Sequence, residues 1–201
     1  MALYIAHVKI RGIRPFIFNR FTEESISLPH EKKDLQGVAG KNPMEWKKTF
    51  NATREGELYI DGSYIHRCLI NAAKFTKRGL QAQLAATLET VDDYLFFTNR
   101  SLPTDLNVIT RNSNSEVYID VRSVKMQRTS ARHIRYRLAL SKGWELSFSI
   151  IWEATVVGKE LMESVCNDAG FLVGIGDNRV NGFGRFEVLD FKAERVSSQS
   201  A

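Results

Sequence analysis

The residues best suited to chemistry in this chain are cations. From Arg122 to Lys142 the sequence carries Arg122, Lys125, Arg128, Arg132, Arg135, Arg137 and Lys142 without one acid. From Gly62 to Leu88 it carries Arg67, Lys74, Lys77 and Arg78, again without an acid. Clustered Arg and Lys of this kind suit an anionic partner, phosphate above all; solvated surface charge is the plain alternative. Arg67, Asn71, Lys74 and Arg78 recur at the spacing of one helical stripe. Arg122, Lys125 and Arg128 on one arm, and Arg132, Arg135 and Arg137 on the other, read as a basic hairpin. Cations crowded on adjacent strands repel unless an anion neutralises them, and phosphate is the expected neutraliser.

The second candidate is the glycine-rich run GIGDNRVNGFG, with Gly174, Gly176, Gly182 and Gly184 interspersed with Arg179 and Asn181 and followed by Arg185. Glycines let backbone N–H groups come close to a phosphate; a tight structural loop is the alternative. The dinucleotide-binding fingerprint follows a strand and opens a helix, whereas this run follows a helical pattern and enters a strand, so no dinucleotide cofactor is expected. Arg14, Arg20 and His66 complete the candidate contacts.

Nucleophilic and metal chemistry finds little support. His7, His30, His66 and His133 are scattered, with no carboxylate or cysteine at ligand spacing, so no metal is expected. The adjacent acids Asp92-Asp93 and Glu23-Glu24 read as solvated loop residues. No nucleophile elbow, P-loop or HExxH motif is present. Cys68 and Cys166 each lie on an apolar stripe and read as buried thiols in a reducing compartment. No catalytic residue is assigned and no cofactor is expected.

These groups need elements to position them. The chain has 201 residues, 43% hydrophobic and 25% charged, with a net charge of +5. That composition excludes collagen-like, coiled-coil and wholly disordered classes. No apolar run approaches the roughly 20 residues of a membrane helix, and the alternating N-terminus MALYIAHVKIRG lacks a secretory pattern, so a cytoplasmic protein without a membrane partner is expected. Period-2 alternation predicts strands over 3–11, 117–126, 133–140 and 144–152, with shorter ones at 58–60, 94–97 and 185–191. Helical periodicity predicts a helix after Asp61-Gly62-Ser63 and another near 159–169, with Gly170 in the C′ position. The pattern predicts one α+β domain over 1–195: a ferredoxin-like (RRM-like) antiparallel sheet with helices on one face. Loop insertions are expected at about 22–57 and 99–115, and a disordered tail over 196–201.

LYIDGSYIHRCLINAAKF resembles the strand–turn–helix of the RAMP superfamily, the CRISPR-associated proteins that bind guide RNA, and GIGDNRVNGFGRFEV resembles their C-terminal glycine-rich loop. Within that superfamily the chain resembles the backbone subunit of CRISPR effector complexes and its stand-alone, phage-type relatives. The resemblance implies the same ferredoxin-like fold and non-catalytic binding of an RNA backbone, by subunits that stack into a homo-oligomer or filament inside a larger ribonucleoprotein. It implies phosphate contacts from Arg67, Lys74, Arg179, Gly182 and Gly184, and makes the basic hairpin a protruding element. The acidic residue that some members use to cut target RNA has no equivalent found here. Three other readings stay open: a phage-type single-stranded DNA-binding or annealing protein, a metal-independent RNA-processing endonuclease with His66 or His133 as base, and a structural subunit whose ribbon makes protein contacts only. RNA is favoured over DNA as the partner.

Overall fold

A computed structural model of the chain describes residues 2–20, 43–125 and 132–196. Arg128, most of the first expected insertion and the tail from 197 lie outside the described residues, as do the side chains of Lys125, Arg132 and His133.

Strand β1, Leu3–Gly12, buries Ala6, Val8 and Ile10 and exposes His7, Lys9 and Arg11, as its alternation dictates. Strand β6, Tyr94–Ser101, strand β9, Glu145–Glu153, and strand β10, Phe186–Arg195, join it in the order β10-β1-β9-β6. Every pairing is antiparallel. Helix α1, Ser63–Thr76, precedes β6, and helix α3, Lys159–Asp168, lies between β9 and β10. Chain order and sheet order together make the ferredoxin-like arrangement that the sequence predicts. Two strands extend the sheet beyond β6: β4, Glu57–Asp61, and the short β3, Asn51–Ala52. A two-residue strand β5, Glu89–Thr90, pairs with β9 after the short helix α2, Leu80–Ala85.

Both long helices cover one face. α1 buries Ile65, Cys68, Leu69, Ala72 and Ala73, and α3 buries Met162, Val165 and Cys166, over a floor that includes Trp144, Phe148 and Trp152. The opposite face is open. There Glu145 receives Lys9 and Arg11, each at 2.8 Å, and the two cations hold its carboxyl below the usual range.

The hairpin is strand β7, Val117–Lys125, and strand β8, Arg132–Leu140, inserted between β6 and β9. It forms a second, three-stranded sheet with β2, Phe16–Ile17, which the sequence left in an irregular stretch. Two residues are too few to show a period.

Two boundaries differ from expectation. α3 does not end at Gly170: the chain passes into a π-helical turn, Ala169–Val173, and stops at Gly174. Gly170 is glycine because a Cβ would lie 2.2 Å from the Phe186 carbonyl oxygen, so it serves the packing of this turn on β10. The strand expected at 94–97 runs on to Ser101, so the polar segment after it is shorter than expected.

Candidate nucleic-acid interface

The largest concentration of predicted contacts lies at the N-terminal end of α1. Asp61 ends β4 and its Oδ1 accepts from the Ser63 N–H at 2.8 Å, which stops the strand and opens the helix. Arg67 then leaves the first turns of α1 exposed on the side that faces the glycine loop. Asn19 and Arg20 approach from the segment after β2, where the Arg20 N–H donates to the Thr49 carbonyl at 2.7 Å. Together with Asn51, Tyr64, Gly176, Asp177 and Arg179 they line a cleft of about 520 Å³. Arg20, Arg67 and Arg179 are all exposed. The partial positive charge of the α1 N-terminus lies at the same place, where Asp61 already accepts the Ser63 N–H and, with Asp177, puts two carboxylates on the lining beside the three arginines. Tyr64 closes one wall, its hydroxyl donating to the Asn19 carbonyl at 3.4 Å; burial, then the charges of Asp177 and Asp61, raises its pKa.

The glycine loop is held from behind. The Asp177 N–H donates to the Ile17 carbonyl at 3.0 Å, and the Gly184 N–H to the Pro15 carbonyl at 2.8 Å. Arg137, with a side chain only 5% exposed, pairs with Asp177 and lies 3.8 Å from Asp120. The Arg122 guanidinium sits 4.3 Å from the Phe183 ring centroid, and Phe183 packs with Ile17, Tyr118 and Ala139. The small sheet is thus a brace for the loop that carries Arg179.

This changes the reading of the hairpin. Its described cations are neutralised by the protein's own carboxylates: Arg122 by Asp120 at 2.8 Å, Arg135 by Glu45 at 2.7 Å, and Arg137 by Asp177 and Asp120. No phosphate is needed to relieve their repulsion, and Arg137 is buried rather than offered to a ligand. Lys125 and Arg132 stand opposite each other in the β7–β8 register.

The remaining predicted residues are dispersed. Arg14 is exposed, and its N–H and that of Ile13 donate to the Arg185 carbonyl at 3.2 and 2.9 Å. Arg185 is partly buried, with an Nη1 that finds no hydrogen-bond partner among the described residues; burial, with the nearby charge of Arg179, lowers its pKa. Asn181 is used inside the loop, its Nδ2 donating to Asn178 Oδ1 at 2.6 Å. Gly182 has open space around it and a φ of +80°, whereas a Cβ on Gly184 would lie 1.7 Å from the Ile175 carbonyl oxygen. Gly184 is therefore required by loop closure, whatever binds. His66 is half-buried and does not line the cleft. Lys74 lies two turns further along α1, 4.9 Å from the Phe75 ring centroid. Sequence reasoning missed Asn19, Tyr64 and Asp177 as cleft residues; the aspartate inside the glycine run was the one available signal.

Among the described residues no helix is long and apolar enough to cross a membrane. No protein-family model and no curated protein sequence matches the chain. Among solved structures 147 chains match. One belongs to the cryo-EM structure of the Type III-B Cmr-beta bound to cognate target RNA, with a TM-score of 0.53 and 12% identity. The alignment covers 98% of this chain but only 62% of that chain, so this protein spans under two thirds of its neighbour's length. The likeness is one of fold: that chain shares this α+β, ferredoxin-like architecture.

Proposed function

We propose that this protein binds the sugar–phosphate backbone of single-stranded nucleic acid, RNA in preference to DNA, without cleaving it. The observation that carries the reading is the meeting of Arg20, Arg67 and Arg179, from three separate segments, at a cleft that also receives a helix N-terminus. Such a site recognises phosphate charge and leaves sequence to base pairing. The solved neighbour's complex with target RNA supports the choice of RNA. In this reading the chain is a backbone subunit that multimerises along a guide strand within a larger ribonucleoprotein.

The test is electrophoretic: purified protein, cleared of bound nucleic acid, is mixed with labelled single-stranded RNA or DNA of one sequence in EDTA. A retarded, intact RNA band with weaker DNA binding is expected. Preferential DNA binding would move the protein to the DNA-annealing class, and RNA cleavage in EDTA would make it a nuclease.

A further inference from the structure

The open face of the main sheet carries an aromatic ledge outside the arginine cleft. Tyr94 and Phe96 project from β6 with 59% and 41% of their surface exposed. Tyr59 on β4 joins them, its ring centroid 5.2 Å from Tyr94 and 5.5 Å from Phe96. Tyr94 and Phe96 alternate with Leu95 and Phe97, which fill the core; rings of this size left in water carry a standing hydrophobic cost unless something covers them.

The ledge adjoins the cleft. In antiparallel ladders directly opposed residues share a face. Asp61 is opposite Tyr94, and Asn51 is opposite Tyr59. Asp61 and Asn51 both line the arginine cleft. A strand leaving the cleft at that wall therefore meets aromatic rings within one strand spacing. Glu57 shares the face of Tyr59 along β4, and its carboxylate disfavours phosphate beside the rings, so the surface suits the uncharged, flat parts of the strand.

We infer that Tyr59, Tyr94 and Phe96 form a stacking platform for unpaired nucleobases, a second subsite for the strand whose phosphates occupy the cleft. The inference rests on the proposed function. Every base has a π-face, so the platform adds affinity without reading sequence.

The test compares a labelled A12 oligoribonucleotide with an abasic strand of equal length, bound to the wild type, to Tyr94→Ala/Phe96→Ala, to Tyr94→Phe and to Arg67→Ala/Arg179→Ala. The double aromatic variant is expected to lose about tenfold or more in affinity for A12, the worth of roughly one stacked base, and to keep its affinity for the abasic strand. Tyr94→Phe retains a ring and should bind A12 as the wild type does. Equal losses on both strands, or no loss on A12, overturn the platform. Capture of a Lys/Arg-rich peptide that the aromatic variant alone loses, with A12 binding intact, makes the ledge a protein-docking surface and also overturns it. If Arg67→Ala/Arg179→Ala binds both strands normally, the cleft reading has failed separately.

Discussion

Replacing Arg137 by Met tests whether the small sheet braces the glycine loop. The substitution keeps much of the aliphatic volume and removes a guanidinium that is 5% exposed. Removing one member of a buried ion pair costs about 3–5 kcal/mol, because the other charge stays buried. Here the loss is smaller. Asp120 keeps Arg122 at 2.8 Å, and the Asp177 side chain, 31% exposed, can be hydrated. We expect about 2–3 kcal/mol, which in a domain of this size lowers Tm by about 4–12 °C. The double variant Arg137→Met/Asp177→Asn removes both charges and should recover at least about 1 kcal/mol of that loss. Differential scanning calorimetry reads both quantities, and a binding titration with single-stranded RNA should show weaker affinity for Arg137→Met although Arg137 does not line the cleft. A Tm within about a degree of wild type, or losses in the double variant that simply add, would refute the brace.

Gly184→Ala should destabilise by about 3 kcal/mol or more, since it combines a left-handed φ with a collision against the Ile175 carbonyl, whereas Gly182→Ala, strained but unobstructed, should cost about 1 kcal/mol; chemical denaturation separates them. Burial pushes the Cys68 thiol up to about 12 and raises Cys166 as well. Both groups are raised above their unfolded values, so their contribution is fully present below about pH 8.5 and is lost as pH climbs toward the folded values. Denaturation midpoints should therefore fall between about pH 9 and pH 12, and the fall should flatten in Cys68→Ala. The same burial makes both thiols unreactive toward an aromatic disulfide reagent until the protein unfolds, which timed labelling would check.

Much of the fold could be read from alternation alone, because one face of the main sheet is open and its strands carry a clean period of two: His7, Lys9 and Arg11 against Ala6, Val8 and Ile10. β2 escaped because a two-residue strand has no period, although it is what joins the hairpin to the glycine loop. The hairpin cations misled for a related reason. The run from Arg122 to Lys142 contains no acid, but Asp120 stands two residues before it on β7, and Glu45 and Asp177 arrive from distant parts of the chain that only tertiary structure brings together. The cleft was legible in part: Arg67 and Arg179 follow from the helix stripe and the glycine loop. Tyr64 and Asn19 did not, since nothing in a tyrosine after a serine marks it as a wall. Gly170 and Gly184 were visible as glycines, but their reason is close packing against Phe186 and Ile175 rather than capping or a ligand.

The central claim, that the arginine cleft holds a strand through its phosphates, is tested most directly by the salt dependence of binding in Arg20→Ala/Arg67→Ala/Arg179→Ala. Each phosphate neutralised on a single strand contributes about −0.7 to the slope of log K against log salt. Losing three contacts should flatten the wild-type slope by about 2.1 while the circular dichroism spectrum stays unchanged, because all three side chains are exposed. A folded triple variant that binds single-stranded RNA with the wild-type affinity and slope would contradict the account.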